Sequence, residues 1–321
     1  MSHPSRPAFL AITGPTASGK TDLSLALAER LDGEVVSMDS RQVYRGMDVG
    51  TDKVDEAGRR RVPHHGLDVV APDERYSAGR FARDARRGVA DIRSRERVPL
   101  LVGGTGFFLR ALMQPIFTEP DMDPARRARL REWLAGQSVE SLARWVRVLD
   151  PDRADVAVEG GPQRIGRTLE VALLTGRPLS WWHRHAPPDG AAVPGTVVAL
   201  EIPREEMDRR IDDRVARMVE RGLVDEVRGL LAAGYGPDDP GMTGTGYPEI
   251  LRFLDGTWSM EEAVEEIRRN TRRYARRQLT WFRHQLPEST VRIDATAPLG
   301  AQVDAAAAAW EAAQVAAEPS S

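Results

Sequence analysis

The chain has 321 residues, of which 41% are hydrophobic and 29% are charged, and its formal net charge is −3. This size allows a full hydrophobic core with a second small domain, while no apolar run reaches the roughly 18 residues that a membrane span needs. The first residues lack the apolar segment of a signal peptide, so we expect a cytoplasmic protein, and the absence of cysteine excludes disulfides, thiolate metal sites and a cysteine nucleophile.

The first predicted elements are a strand at 9–12 and the start of a helix, separated by the glycine-rich sequence GPTASGKTDLS. The spacing Gly14-x-x-x-x-Gly19-Lys20-Thr21 matches the Walker A pattern, in which backbone N–H groups and a helix N-terminus surround a di- or triphosphate. Lys20 is one of two lysines among 45 basic residues, which indicates a site that needs a slender point charge. The Thr21 hydroxyl is predicted to bind Mg²⁺ held by the same phosphates. The diphosphate-binding residues predicted in this loop are Gly14, Pro15, Thr16, Ala17, Ser18, Gly19, Lys20 and Thr21.

Two further strands, predicted at 34–38 and 98–102, end at Asp39 and at Gly103-Gly104-Thr105. In a parallel α/β sheet the ligand lies outside the carboxyl ends of the strands, so Asp39 and Thr105 are expected to converge on the phosphates. A P-loop ATPase usually has a Mg²⁺-binding aspartate at such a strand end, whereas Gly-Gly-Thr suits the anchoring of a pyrophosphate. Two simpler interpretations stay open, a plain turn at Gly103-Gly104 and a helix N-cap at Asp39.

The segment 117–197 interrupts the alternation of strands and helices with an arginine-rich, helical sequence. We predict that it forms a separate helical insertion domain whose small core contains its tryptophans, rather than stacking them on bases. These tryptophans are Trp133, Trp145, Trp181 and Trp182. After the insertion a strand is predicted at 196–200, and helically spaced apolar residues follow at Met207, Ile211, Val215 and Met218, which we expect in the core.

The last long helix is predicted at 261–285 and carries two adjacent columns of arginines, which are Arg268, Arg272 and Arg276 beside Arg269, Arg273 and Arg277. A charge run is usually only a solvated face, but unrelieved repulsion among six arginines favours an anionic partner. The alanine-rich tail at 297–321 is expected to be a frayed helix that ends in disorder. These divisions give a core at 1–116 and 198–296, an insertion at 117–197 and a tail.

Six motifs along nearly the whole chain resemble those of the tRNA dimethylallyltransferases, and they follow in that family's order: GPTASGKT, DSRQVYRGMDVGTDK, LLVGGTGFFLRAL, PQRIGRTLEV, GTGYPEI and TRRYARRQLTWFR. The resemblance implies an α/β fold of the P-loop NTPase type, a parallel sheet flanked by helices, with a helical insertion domain. It implies transfer of the dimethylallyl group from dimethylallyl diphosphate to N6 of the adenosine immediately 3′ of the anticodon, position 37 of tRNA. The P-loop would then hold dimethylallyl diphosphate, with Mg²⁺ as cofactor and no ATP consumed.

The resemblance also implies roles for individual residues. Asp39 would accept the N6 proton as general base, Thr105 would contact the bridging oxygen of the diphosphate, and Arg214 would bind its phosphates. The implied tRNA contacts are Asp39, Ser40, Arg41, Gln42, Thr105, Arg127, Gln163, Arg164, Ile165, Gly166, Arg167, Gly246, Tyr247, Arg272, Arg273, Arg276 and Arg277.

Two other functions remain as alternatives at this stage. A P-loop kinase for a small molecule would also use Gly19-Lys20-Thr21 and a nearby aspartate, but it leaves the arginine columns and the Gly-Gly-Thr strand end unexplained. A noncatalytic tRNA-binding protein explains the arginines but gives Asp39 and Thr105 no role. We expect tRNA and dimethylallyl diphosphate as the ligands of a monomer with no membrane attachment.

Overall fold

The computed structural model describes residues 6–317 and contains a six-stranded sheet in which all neighbouring strands are parallel. The strands are β1 (Phe9–Thr13), β2 (Gly33–Ser37), β3 (His64–His65), β4 (Val98–Val102), β5 (Gly195–Glu201) and β6 (Val291–Asp294). Their order across the sheet is β3-β2-β4-β1-β5-β6. The predicted parallel α/β fold, and the strands predicted for β1, β2, β4 and β5, are therefore confirmed.

The remaining regular elements are mainly α-helices. In chain order they are α1 (Lys20–Leu31), α2 (Glu56–Arg61), α3 (Ala78–Ser94), α4 (Gly106–Met113), α5 (Pro124–Ala135), α6 (Val139–Leu149), α7 (Ala154–Glu159), α8 (Pro162–Thr175), α9 (Leu179–His185), α10 (Arg204–Glu220), α11 (Leu223–Ala232), α12 (Tyr247–Leu254), α13 (Met260–Gln285) and α14 (Leu299–Val315). Within residues 6–317, no helix is long and apolar enough to cross a membrane.

The register of the sheet brings three strand ends to one edge. Ile12 of β1 lies beside Val102 of β4, and Ser37 of β2 lies on the other side of Val102. Because parallel strands expose their carboxyl ends at the same edge, the loops that follow β1, β2 and β4 are neighbours. The continuous burial of β1 explains why its sequence is an apolar run rather than an alternating pattern.

The helices that flank the sheet bury one apolar face each, and α10 buries all four of the residues predicted for its core face, Met207, Ile211, Val215 and Met218. The expectation of a frayed tail is wrong for α14, because Val303, Ala306 and Ala307 are buried in the same hydrophobic core. Alanine is small enough to let a helix pack closely, so an alanine-rich sequence does not imply fraying when a partner surface is present. The predicted disorder after this helix falls on 318–321, outside the described residues.

The chain divides into two compact units. The first contains the sheet and comprises the chain up to Gln114 and from Ala192 onward, and the second is Pro115–Ala191 with α5 to α9. The second unit has its own core around Val146, Ile165 and Leu169. Trp145 packs against this core, whereas Trp133 is 50% exposed and stacks on Trp145 with ring centroids 5.1 Å apart. The prediction that all four tryptophans form the core is therefore wrong for Trp133.

Candidate active site

The loop between β1 and α1 has the backbone conformation that its glycines predict. Gly14 and Gly19 have positive φ values of 152° and 88°, and Ala17 also adopts a positive φ of 63°. Lys20 is the first residue of α1, and its ammonium group donates to the carbonyl oxygens of Gly14 (3.0 Å) and Pro15 (2.6 Å). The loop therefore curls around the Lys20 ammonium group, and its predicted members lie together at the N-terminus of α1.

The environment of Lys20 lowers its pKa to about 8, mainly through burial and further through the positive charge of Arg214, while Asp39 acts in the opposite direction. A buried cation of this kind gains from an anionic ligand, because the ligand would replace the water that the ammonium has lost. The electrostatics of the loop thus favour a phosphate group next to Lys20.

Arg214, from α10, lies across the same loop. It donates to the Thr16 hydroxyl and to the carbonyl oxygen of Thr51 (3.5 Å), and it pairs with Asp52 at 3.3 Å. Its side chain is 20% exposed, so the guanidinium is largely shielded from solvent but open toward the cleft beside the loop. The structure therefore brings Arg214 and the P-loop together, as the predicted diphosphate site requires.

The ends of β2 and β4 meet through Ser40 and Thr105. The Ser40 amide donates to the Thr105 hydroxyl at 3.1 Å, and the Asp39 carboxylate accepts from the Arg41 amide at 2.8 Å. Asp39 is also close enough to Lys20 and Tyr274 to affect the pKa of both. The carboxylate, the hydroxyl and the phosphate loop therefore share one end of the sheet.

The glycines after β4 are required by close packing. A methyl group at Gly103 would lie 2.0 Å from the carbonyl oxygen of Met38, and one at Gly104 would lie 2.2 Å from the side-chain nitrogen of Gln278. At Gly106 it would lie 2.2 Å from the ring of Trp281. Because any larger residue would push β2 or α13 away, the interpretation as a plain turn is insufficient here.

A cleft of about 1490 Å³ opens above these loops within the first unit. It is lined by the P-loop, the ends of β2 and β4, the loop at 50–55 and parts of α10 and α13. Asp39, Lys20 and Arg214 all contribute to its wall. Asp39 and most of the predicted diphosphate-binding residues thus line one cavity, which is large enough for a prenyl diphosphate and a nucleobase, while Thr105, Gly14 and Pro15 lie outside its lining.

Several residues predicted to contact tRNA also make contacts within the protein. The Tyr247 ring is 1% exposed and its hydroxyl donates to Glu226 at 2.8 Å. Gln42 accepts from the Ser37 hydroxyl at 2.9 Å, and Arg41 donates to the carbonyl oxygen of Pro240 at 2.9 Å. Gly246, with φ of 107°, is the N-cap that precedes α12 and donates its amide to Glu249. Arg41, Gln42 and Tyr247 contribute to the wall of the cleft.

The arginine columns of α13 do not have the unrelieved repulsion that their sequence suggests. Arg272 pairs with Asp212 of α10, Arg276 lies 3.6 Å from Asp208, and Arg268 lies 3.7 Å from Glu265. The second column is more exposed: Arg273 donates to the Asn270 side chain at 3.1 Å. Arg277 lies over the Tyr274 ring at 5.9 Å and lines the cleft.

In the insertion, α8 begins at Pro162 and exposes Gln163 and Arg164 in its first turn, while Ile165 is buried in the core. Arg127 and Arg167 bind the buried carboxylate of Glu170 at 2.7 and 2.8 Å. Their side chains are 27% and 30% exposed. Gly166 has open space where a side chain would stand. The second unit thus collects these predicted tRNA contacts around α8.

The sequence did not reveal the part that α13 plays in the site. Its buried face carries Tyr274, Gln278 and Trp281, which contact the strand ends and the P-loop. A glutamine within an arginine-rich helix has no local feature that marks it as part of a site. Only the spacing of these three residues, at i, i+4 and i+7, would have placed them on a common face.

The residues around the P-loop suit a Mg²⁺ ion that the substrate phosphates help to bind. The Thr21 side chain is exposed at the N-terminus of α1, and the residues that the structure describes contain no group of three acidic or histidine side chains that could hold a metal. Mg²⁺ is commonly bound by one or two protein oxygens with water and substrate phosphates completing its shell. Thr21 therefore suits an ion that arrives with a diphosphate.

A family model described as IPP transferase matches residues 42–285. The tRNA dimethylallyltransferase 2 of Geotalea uraniireducens is 45% identical over 274 residues, which cover 85% of this chain and 88% of that protein. The tRNA dimethylallyltransferase of Geobacter metallireducens is 46% identical over 275 residues, with coverage of 85% and 88%.

Two solved structures are also similar. A tRNA isopentenylpyrophosphate transferase from Bacillus halodurans matches with a TM-score of 0.68 at 35% identity, over 96% of this chain and 98% of that one. A eukaryotic dimethylallyltransferase acting on tRNA matches with a TM-score of 0.75 at 27% identity, over 90% of this chain and 74% of that one.

Proposed function

The chain belongs to the IPP transferase family, and from this membership we propose that it transfers the dimethylallyl group of dimethylallyl diphosphate to N6 of adenosine 37 in tRNA. The observation that carries the proposal is the one cleft whose wall contains Lys20, Arg214 and Asp39. Lys20 and Arg214 can bind a diphosphate there, and Asp39 can accept a proton.

The reaction forms a bond between N6 and the allylic carbon and breaks the bond between that carbon and the diphosphate oxygen. Negative charge gathers on the departing diphosphate, where Lys20, Arg214 and the amides of the loop stabilise it. Thr105 would donate its hydroxyl hydrogen to the bridging oxygen. When Mg²⁺ is bound at Thr21, it adds positive charge to the leaving group.

Asp39 acts on the nucleophile. An exocyclic amine is a weak nucleophile, and a carboxylate that accepts its proton as the new bond forms makes the attack easier. The hydrogen bond from the Arg41 amide orients the Asp39 carboxylate before the substrate arrives. The target adenine must leave its stack in the anticodon loop to reach Asp39, and exposed cations such as Arg277 and Arg164 would hold the tRNA backbone.

The family membership does not favour the kinase alternative. Strand β4 is followed by Gly-Gly-Thr rather than by a carboxylate, and α13 packs on these glycines. Two further proposals complete the function. The enzyme acts in the cytoplasm, where its tRNA substrate is modified. It acts as a monomer, because one copy carries a complete set of reacting groups.

The decisive experiment incubates the protein with unmodified tRNA and either dimethylallyl diphosphate or ATP, and then measures the mass of nucleosides from the digested tRNA. We expect a dimethylallyl group on one adenosine only with dimethylallyl diphosphate, and this product should require Mg²⁺. Consumption of ATP without a modified nucleoside would instead support the kinase, and binding without any product would support a tRNA-binding protein.

A further inference from the structure

One face of α13 joins the two loops that the proposed reaction uses. Gln278 is 7% exposed, accepts from the backbone amide of Thr16 at 2.9 Å and donates to the carbonyl oxygen of Gly104 at 2.9 Å. Thr16 belongs to the P-loop, and Gly104 directly precedes Thr105. A single buried side chain thus links the diphosphate loop to the end of β4.

The two partners require a side chain that both accepts and donates a hydrogen bond, and the primary amide of Gln278 does both. The Thr16 amide can only donate and the Gly104 carbonyl can only accept, so the group between them needs one acceptor and one donor. A carboxylate lacks the donor and an aliphatic side chain lacks both. The missing side chain at Gly104 provides the space, since a methyl group there would lie 2.2 Å from the Gln278 nitrogen.

We propose that Gln278 is a positioning residue, which holds the P-loop and Thr105 in the relative placement that a bound prenyl diphosphate needs. This inference rests on the proposed function. Lys20 and Arg214 would hold the terminal oxygens from the P-loop side, while Thr105 would reach the bridging oxygen from the β4 side. Because the two sets of ligands belong to different loops, their mutual distance depends on a tie between those loops, and Gln278 supplies this tie through two hydrogen bonds.

The test compares Gln278→Leu and Gln278→Glu with Thr280→Ala, a control on the exposed side of α13. Calorimetry with inorganic pyrophosphate and Mg²⁺, in the absence of tRNA, measures the diphosphate site without turnover. We expect Gln278→Leu to weaken pyrophosphate binding about tenfold or more, because two buried polar groups lose their partners and the loops separate. The KM for dimethylallyl diphosphate should rise and kcat should fall, with the KM for tRNA unchanged.

Gln278→Glu adds a readout that a merely structural role would not move. At pH 8 its carboxylate can accept from Thr16 but cannot donate to Gly104, and it also repels the diphosphate. Burial at this position should raise the pKa of the introduced carboxyl group, so that partial protonation at pH 6 restores a donor. The loss of pyrophosphate affinity relative to the unaltered protein should therefore be smaller at pH 6. The pKa of Lys20 lies near this range. The ratio of the pyrophosphate affinities of Gln278→Glu and the unaltered protein, taken at each pH, removes the effect of Lys20.

Pyrophosphate affinity and KM within twofold of the unaltered values, in variants whose circular dichroism shows a folded protein, would overturn the proposal. If Gln278→Leu fails to fold, the isosteric Gln278→Glu decides through its pH dependence. The binding measurement needs no prenyl transfer. An unaltered protein that binds pyrophosphate but transfers no prenyl group therefore contradicts the proposed function and leaves the role of Gln278 to be decided separately.

Discussion

At the scale of single residues, Lys20 shows how the fold prepares a charge for a ligand. Its ammonium group is bound by the carbonyl oxygens of Gly14 and Pro15, and burial lowers its pKa to about 8. A diphosphate would raise this pKa again, because opposite charges favour the protonated form. Protonation of Lys20 and binding of the diphosphate are therefore linked.

This linkage predicts a loss of diphosphate affinity at alkaline pH. Above pH 8 the free protein loses the Lys20 proton, so binding must first restore it, and the affinity should fall by up to about tenfold per pH unit. Dimethylallyl diphosphate binding without tRNA, measured by calorimetry between pH 7 and pH 9.5, checks the slope. Lys20→Arg is the control, since a guanidinium does not titrate here and should give weaker binding without that slope. Equal slopes in both proteins would contradict the prediction.

Asp39 is predicted to act on the nucleophile alone. Asp39→Asn keeps the oxygen that accepts from the Arg41 amide but cannot take a proton, so the single-turnover rate of prenyl transfer should fall by about 10²-fold to 10⁴-fold. Quench-flow kinetics with saturating substrates measure this rate. The Kd values for tRNA and dimethylallyl diphosphate should change less than about threefold. A variant that keeps most of its rate would remove Asp39 from the proton transfer.

The site residues that could be predicted without the family resemblance lie in one contiguous loop or directly after an apolar strand. The P-loop is contiguous, and Asp39 and Thr105 each follow an apolar strand, so general rules for parallel sheets bring them together. Gln278 depends on contacts made 174 residues away at Gly104 and 262 residues away at Thr16. No local pattern contains such contacts, and the same limit applies to the internal hydrogen bond of Tyr247.

At the scale of elements, α13 combines a buried face that organises the cleft with an exposed column of cations. Its first turn is stabilised by a capping box between Ser259 and Glu262, as expected for a helix that begins with acidic residues. The pairing of Arg272 with Asp212 ties α13 to α10. The two arginine columns thus have different partners although their sequences look alike: the first reaches Asp208 and Asp212 of α10, whereas Arg269 of the second pairs with Glu266 of its own helix.

We therefore predict that Arg273→Ala with Arg277→Ala weakens tRNA binding more than Arg272→Ala with Arg276→Ala. Two lost phosphate contacts should reduce the slope of log K against log salt by about 1.4 to 1.8. Arg272 and Arg276 already pair with Asp212 and Asp208, so replacing them should change this slope by less than half as much. Their replacement should lower the melting temperature instead. Filter binding across a salt series gives both slopes. A larger effect of Arg272→Ala with Arg276→Ala would contradict the prediction and would indicate that tRNA binds to the first column.

Element prediction failed where packing, rather than pattern, stabilises a helix. The apolar runs of β1 and β4 are each followed by a glycine, and such runs indicate buried strands. The alanines of α14 have no strongly apolar side, and the helix is held because Ala306 and Ala307 fit against the core. This fit depends on surfaces contributed by distant parts of the chain, which a reading of the tail alone does not contain.

At the scale of the whole molecule, the two compact units have separate cores and, in our proposal, separate tasks. Glu170 is central to the second unit, where three arginines bind its carboxylate: Arg127, Arg131 and Arg167. Burial alone would raise the pKa of Glu170, but hydrogen bonds from Arg127 and Arg131 outweigh it and hold the pKa below its ordinary value. Its stabilising effect is therefore present at neutral pH and is lost on acidification.

Glu170→Gln should consequently unfold or loosen the second unit while leaving the first intact. It leaves Arg131 without its carboxylate partner and leaves Arg127 and Arg167 with Glu119 alone. The cost should be about 3 kcal/mol, near the lower end for buried ion pairs because the arginines are partly exposed. Limited proteolysis should cut within Pro115–Ala191, and tRNA affinity should fall more than tenfold. Dimethylallyl diphosphate affinity should stay within twofold, since the P-loop lies in the first unit. The control Glu132→Gln removes an exposed charge from α5 and should change neither measurement. A parallel loss of both affinities in Glu170→Gln would show that the two units unfold together and that their tasks are not separable.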